Sequence, residues 1–182
     1  GAFDIAFEPL TSLWDFTAED PQVPVDNLIQ AALPTCDYHN ISVDRVKNEI
    51  TLKTDDTAIE LGAIAKGYIA DQVKELLVAQ GVEHAVLNLG RNILLIGDKQ
   101  EGTAFTIGIQ DPNEEEGVLA DVLSATGKSI VTSGIDERYF TYQGKKYYHI
   151  LDPYTGFPAD TGLASVTILS DTSAQGDALS TT

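Results

Sequence analysis

Apolar residues recur with helical spacing in four parts of the chain. The clearest is 65–80, where Ile69, Val73, Leu76 and Leu77 fall on one face and Gly81 follows as a C-terminal stop. Shorter helices are predicted to begin at Glu8-Pro9, to span 25–33 and to begin near Asp171-Thr172-Ser173. We therefore expect four helices, with the 65–80 helix packed on a sheet through its apolar face.

Strand-like runs fill most of the remaining chain. Residues 38–43 and 49–53 are typical of a hairpin joined by polar residues, and Gln143-Gly144 marks a second tight turn. The other strands are predicted at 85–89, 93–96, 104–109, 118–124, 129–132, 139–142, 147–151 and 165–169. Helices early and late around a long antiparallel stretch favour an α+β fold with a mixed, mainly antiparallel sheet. We expect one domain over residues 1–182.

The charge of the chain narrows the classes of function. Its 182 residues carry 11 Lys and Arg against 28 Asp and Glu, a formal net charge of −17. Such a chain repels nucleic acid and anionic lipid, so we expect neither as a partner. No apolar run approaches the roughly 18 residues of a membrane span. The single cysteine, Cys36, excludes an internal disulfide and a cysteine-rich zinc site.

Two segments combine glycines with a basic residue. In 60–71, small residues precede Lys66 at a predicted helix start, where free N–H groups and the positive end of the helix dipole can bind an anion. The alternative is close helix packing beside an exposed lysine. In 88–92, either Gly90 and Arg91 meet a ligand or the segment is only a hairpin loop.

Two further segments carry groups suited to catalysis and metal binding. His149 ends a predicted strand three residues before Asp152, which fits a general base near a carboxylate and equally fits a structural histidine. Asp177 and Thr181 lie one helical turn apart, on one face. Two hard oxygen ligands in that arrangement suit Mg²⁺, although the spacing alone is common.

Taken in order, these segments resemble the FAD:protein FMN transferase (ApbE) family. The most specific blocks are Leu-Gly-Ala-Ile-Ala-Lys-Gly-Tyr at 61–68 and His-Ile-Leu-Asp-Pro-Tyr-Thr-Gly-Phe-Pro at 149–158. Further matching stretches are Phe3-Asp4, Pro9-Leu10, Leu13-Trp14, Asp71, Asn88-Leu89-Gly90, Thr132-Ser133-Gly134, Ser165-Val166-Thr167 and Asp177-Ala178-Leu179-Ser180-Thr181. The resemblance spans nearly the whole chain and implies the T-fold-like α+β architecture of that family.

The resemblance also implies a reaction and a set of roles. It implies Mg²⁺-dependent transfer of FMN from FAD, the substrate, to a Thr or Ser hydroxyl of a target protein, with release of AMP. The Ala63 carbonyl, Asp177 and Thr181 are then the expected Mg²⁺ ligands, and His149 is the expected base. The expected FAD contacts are Glu60, Lys66, Gly90, Ser133, Gly134, His149 and Asp152. The implied acceptor is a subunit of a membrane redox complex or an extracytoplasmic flavoprotein.

Some features depart from the family pattern. Arg91 stands where the family commonly has a second glycine, and it could obstruct the flavin site. We expect the chain to be part of a longer protein, without the family's N-terminal portion and C-terminal end. The resemblance implies that the full-length protein is an extracytoplasmic, membrane-anchored lipoprotein. Two other interpretations stay open: a flavin-binding or flavin-carrying module without transferase activity, and an acidic structural domain.

Overall fold

The computed structural model describes residues 3–182, which form four α-helices and ten β-strands. Residues 1 and 2 of the predicted domain lie outside the described range. The helices are α1 (Glu8–Trp14), α2 (Asp26–Ala32), α3 (Gly62–Ala79) and α4 (Ser173–Thr181). The strands are β1 (Ile41–Asp44), β2 (Glu49–Leu52), β3 (Ala85–Asn88), β4 (Asn92–Ile96), β5 (Phe105–Gln110), β6 (Leu119–Ala125), β7 (Ser129–Gly134), β8 (Tyr139–Tyr142), β9 (Lys145–Tyr148) and β10 (Ser165–Ser170). Every strand pairing in this part of the chain is antiparallel, and the predicted α+β fold is confirmed.

The chain divides into two compact units, of which the first contains residues 3–61 and 135–162. It carries α1, α2 and the hairpins β1–β2 and β8–β9. The Trp14 indole is fully buried, and its N–H donates to the Gly156 carbonyl over 2.8 Å. The core of this unit consists of Leu10, Trp14, Ile29, Phe140 and Leu151. Burial of these large apolar side chains stabilises the unit.

The second unit contains residues 62–134 and 163–182 and is built on a four-stranded sheet in the order β10-β7-β4-β3. Side chains of β4 alternate between two faces, as the period of two requires. Leu95 packs with Ile130 and with the β5–β6 hairpin on one face. Leu94 and Ile96 pack with Ala70 of α3 on the other. The sheet therefore lies between a hairpin and the helix α3.

The face of α3 that is buried differs from the predicted one. Ile69, Val73 and Leu76 are 55%, 37% and 62% exposed, and of the predicted set only Leu77 packs against the sheet cluster. The buried positions of the helix are Gly67 and Ala70. The prediction was wrong because it placed large side chains at the interface. The buried face of α3 packs closely against α4, and this contact requires small residues such as Gly67.

Several strand boundaries also differ from prediction, among them the start of β1 and the end of β9. Residues 38–40 form a 3₁₀ turn and not the start of a strand, because the Asp37 carboxylate accepts the His39 N–H and caps that turn. Strand β9 ends at Tyr148, so His149 follows the strand and does not end it. Within residues 3–182, no helix combines the length and apolar character needed to cross a membrane.

Gly67→Ala is expected to destabilise the protein by about 1–3 kcal/mol, the usual cost of overpacking. A Cβ at position 67 would lie 2.3 Å from the Ser173 carbonyl oxygen, so α3 and α4 would have to move apart. Elsewhere in a helix the same change stabilises by about 0.5–1 kcal/mol. Urea unfolding measures whether Gly67→Ala lowers or raises the free energy of unfolding. Gln72→Ala, on the exposed side of α3, is the control and should change the free energy of unfolding by no more than about 0.5 kcal/mol.

Candidate functional site

Helix α4 is attached to α3 by its first turn. The Asp71 carboxylate accepts the N–H groups of Ser173 and Ala174 over 2.8 and 2.9 Å. The Thr172 hydroxyl accepts the Gln175 N–H over 3.3 Å as a conventional N-cap. These bonds satisfy N–H groups that a helix start leaves unpaired. They fix the helix that carries Asp177 and Thr181.

The Asp177 carboxylate is buried and held from two sides. Its Oδ1 accepts from the Asn92 side-chain amide over 2.9 Å, and its Oδ2 accepts from the Gly67 backbone N–H over 2.5 Å. Asp177 is 5% exposed, and Asn92 is completely buried. The orientation of the carboxylate is therefore set by β4 and α3 together.

Within residues 3–182, the Asn92 amide and the Gly67 N–H that donate to this carboxylate are both neutral N–H groups. Among residues 3–182, no Lys, Arg or His forms an ion pair with Asp177. A buried charge is costly unless it is paired or binds a metal ion, and two neutral N–H donors offset only part of that cost. A carboxylate offers about four lone-pair directions, of which two are used here. The arrangement fits a bound cation.

Hydroxyl groups lie next to Asp177 along α4. The Thr181 hydroxyl donates to the Asp177 backbone carbonyl over 3.1 Å. The Ser133 hydroxyl, on β7, lies 2.8 Å from that of Ser180 and 3.2 Å from that of Thr181. The structure thus brings together three of the predicted site residues, Ser133, Asp177 and Thr181, in one polar cluster.

The donor set fits a small, hard cation such as Mg²⁺. Asp177 and Thr181 provide oxygen ligands, the type that Mg²⁺ prefers. The described residues contain no group of three or more His, Cys, Asp or Glu side chains arranged to hold a metal ion. In a regular helix the Gly67 N–H would bind the Ala63 carbonyl, and its bond to Asp177 competes with that interaction. The role of the Ala63 carbonyl as a third oxygen ligand stays a prediction.

The remaining predicted residues of the second unit lie on α3, the β3–β4 turn and β7. Helix α3 begins at Gly62, so Lys66 lies in its second turn and not one residue from its start as predicted. Gly90 has a φ of +83°, which favours glycine, and its N–H donates to the Asn88 side chain over 3.0 Å. Gly134 ends β7 opposite Ser165. The Gly90 amide therefore serves the turn in this structure.

His149 lies directly after β9, in the first unit. Its Nδ1 is 3.3 Å from the Arg138 carbonyl oxygen, and its backbone N–H donates to the same oxygen over 3.1 Å. Because a carbonyl only accepts, the proton of the neutral ring is assigned to Nδ1, which makes Nε2 the basic nitrogen. This bond fixes the orientation of the imidazole ring.

Tyr148, Asp152 and Glu60, which also belong to the first unit, each form local hydrogen bonds. Burial, with a smaller effect from the Asp160 charge, raises the pKa of Tyr148, and its hydroxyl donates to the Ala159 carbonyl. One Asp152 carboxylate oxygen accepts the Tyr154 N–H over 2.8 Å, which closes an Asx turn. The Glu60 backbone N–H donates to the Ile5 carbonyl over 2.8 Å, and its side chain is exposed. The roles of Glu60 and Asp152 toward FAD stay predictions.

The two units divide the predicted site residues between them. The first unit holds Glu60, His149 and Asp152. The second holds Ala63, Lys66, Gly90, Ser133, Gly134, Asp177 and Thr181. Sequence reasoning missed the partners of Asp177, namely Asn92 and the Gly67 N–H. One signal was present for Asn92: it is the polar first residue of the otherwise apolar segment Asn-Ile-Leu-Leu-Ile.

The chain is similar in sequence and in structure to known flavin transferases and ApbE proteins. A FAD:protein FMN transferase of Klebsiella pneumoniae (strain 342) is 40% identical over 176 residues, which cover 97% of this chain and 54% of that protein. A crystal structure of the ApbE protein of Thermotoga maritima matches with a TM-score of 0.92 and 35% identity, over 100% of this chain and 58% of that one. The apo structure of the flavinyl transferase ApbE of Pseudomonas stutzeri matches with a TM-score of 0.82 and 30% identity, over 100% of this chain and 56% of that one.

These matches cover 97–100% of this chain but only 54–58% of the other proteins. The chain spans about half the length of the curated relatives it matches. The family model described as the ApbE family matches residues 1–182. The chain therefore belongs to the ApbE family.

Proposed function

We propose that the protein transfers FMN from FAD to a Thr or Ser hydroxyl of an acceptor protein, in a Mg²⁺-dependent reaction that releases AMP. The observation that carries this proposal is the buried Asp177 carboxylate, which two neutral N–H donors hold and no described cation neutralises. The names of the relatives, which are FAD:protein FMN transferases, support the choice of FAD and FMN.

The reaction balances as a phosphoryl-type transfer. The acceptor oxygen forms a bond to the FMN-side phosphorus of FAD, and the bond from that phosphorus to the oxygen bridging to AMP breaks. AMP leaves with the bridging oxygen and its electron pair, and the acceptor hydroxyl loses its proton. Such transfers depend mainly on positioning and on stabilisation of phosphate charge. The protein must therefore supply a proton acceptor and positive potential at the pyrophosphate.

His149 is proposed as the proton acceptor. The hydrogen bond from Nδ1 to the Arg138 carbonyl holds the ring and leaves Nε2 basic. A positioned base typically accelerates a reaction 10²–10⁴-fold. Tyr148 is a weaker candidate, because its raised pKa keeps the phenol protonated and its hydroxyl already donates to Ala159.

Asp177, Thr181 and the Ala63 carbonyl are proposed to hold Mg²⁺. When bound, Mg²⁺ polarises the phosphate oxygens and neutralises developing charge. The short i to i+4 spacing on α4 keeps the Asp177 and Thr181 side chains one turn apart. Lys66 adds a positive charge from the second turn of α3. A local cation and a lysine allow a chain of net charge −17 to bind a pyrophosphate.

The test is to incubate the intact protein with FAD, Mg²⁺ and a candidate acceptor protein, and to detect flavin fluorescence on the denatured acceptor. We expect labelled acceptor with Mg²⁺ and none with excess EDTA. Flavin bound tightly to this protein, with no labelling of any acceptor tested, would favour the flavin-carrying module over the transferase. An acceptor whose Thr and Ser residues at the labelled segment are changed to Ala is the matched control.

A further inference from the structure

Asn92 occupies an unusual place for a side-chain amide. It is the first residue of β4, opposite Val131 of β7, and none of its surface is exposed. Its Nδ2 donates to Asp177 Oδ1 over 2.9 Å, and its Oδ1 accepts from the Ser173 hydroxyl over 2.5 Å. Burying a carboxamide is costly unless its groups are bonded, and this one bonds at both ends.

Chemistry alone assigns the orientation of this amide. An ionised carboxylate only accepts hydrogen bonds, so the NH₂ group of Asn92 must face Asp177. The Asn92 oxygen then faces Ser173, whose hydroxyl can donate. Ser173 is itself fixed, because its backbone N–H donates to Asp71 on α3. A continuous chain of hydrogen bonds, each with its donor assigned, therefore connects α3 through Ser173 and Asn92 to the Asp177 carboxylate.

We propose that Asn92 is a positioning residue that presents the Asp177 carboxylate to a divalent cation. This inference rests on the metal site of the proposed function. A neutral donor orients the carboxylate and leaves its charge intact, whereas a Lys, Arg or His at the same place would neutralise it and take the place of the metal. Groups that orient metal ligands in this way typically account for 10–100-fold in metal affinity.

A purely structural role predicts different behaviour. If Asn92 only satisfies buried polar groups, its loss lowers the stability of the protein but leaves the metal affinity of the folded molecules unchanged. If it positions Asp177, its loss weakens metal binding in protein that is still folded. Metal affinity and stability measured on the same variant therefore separate the two roles.

The test is Asn92→Leu in the intact protein, which keeps the approximate size of the side chain and removes the donor. We expect the Kd for Mn²⁺, measured by electron paramagnetic resonance, and the Kd for Mg²⁺, measured by calorimetry, to rise 10–100-fold. Thermal unfolding in EDTA checks folding. If Asn92→Leu does not fold, Asn92→Ser is tested in its place. Serine keeps a hydroxyl donor in a smaller side chain, so we expect a smaller rise in Kd.

Two controls match this change. Asn113→Leu makes the same substitution in an exposed loop, where the Asn113 side-chain amide donates to Asp111, and should leave both Kd values unchanged. Ser173→Ala removes the bond to the far side of Asn92 and should raise Kd less than Asn92→Leu does. Folded Asn92 variants with Kd within twofold of the wild type would overturn the inference and leave the metal site standing. Wild-type protein that binds neither ion would overturn both.

Discussion

Replacing Asp177 with alanine in the intact protein is expected to abolish Mg²⁺-dependent FMN transfer, with a loss of roughly 10³-fold or more. Asp177 is the only charged ligand proposed for the metal, and metal stabilisation of phosphate charge is worth several kcal/mol, at about 1.36 kcal/mol per tenfold in rate. Thr181→Ala should cost less, because water can replace a hydroxyl ligand. Initial rates of acceptor labelling across a Mg²⁺ titration measure both effects.

The control is Asp171→Ala, two residues before the first turn of α4. The Asp171 carboxylate is exposed and pairs with Lys128, whose hydrogen bond and charge lower the pKa of Asp171. Its removal should leave the Mg²⁺ dependence unchanged. Asp177→Asn tests charge with nearly constant shape and should also lose Mg²⁺-dependent transfer. Wild-type Mg²⁺ dependence in Asp177→Ala would show that the metal lies elsewhere.

His149→Asn is expected to slow transfer roughly 10²–10⁴-fold while leaving the fold intact and changing FAD affinity far less than the rate. The imidazole is the proposed proton acceptor, and asparagine of similar size cannot take a proton. The rate of the variant should partly recover as pH rises, since hydroxide can then remove the acceptor proton. Single-turnover rates with bound FAD, measured at several pH values, report the step itself.

Binding and chemistry are separated by measuring FAD affinity on the same variant. His39→Asn is the matched control, because His39 is an exposed histidine that pairs with Asp37, and it should behave like the wild type. A His149→Asn protein that binds FAD weakly but turns over bound FAD at the normal rate would contradict the assignment of His149 as the base. His149 would then be a flavin contact only.

Much of the fold follows from local sequence signals. The short apolar runs at β4 and β7, the Gln143-Gly144 turn and the Pro9 helix start each predict the element that the structure contains. The buried face of α3 could not be predicted in this way. The usual rule assigns large apolar residues to the interface, whereas α3 meets α4 at Gly67, where backbone atoms approach closely. That choice depends on a helix about 100 residues later in the chain.

The candidate site, like the fold, could be predicted from the sequence only in part. Asp177 and Thr181 could be paired from sequence because helical spacing alone brings them together. The partners of the Asp177 carboxylate could not, since Gly67 and Asn92 are separated from it by 110 and 85 residues. Their contacts arise only when α4 packs on α3 and on the end of β4. A polar residue at the start of an apolar strand, such as Asn92, is the one sequence feature that could have indicated this hydrogen-bond network.

The most direct test of the proposed function is the balance of products in one reaction. FAD, Mg²⁺, the acceptor and the intact protein are mixed. AMP is then quantified by chromatography, and the mass of the acceptor is measured by intact-protein mass spectrometry. The proposal predicts one AMP for each acceptor that gains the mass of an FMN group, and neither product in EDTA. Release of AMP without any gain in acceptor mass, or flavin that stays bound to this protein with no AMP, would contradict it.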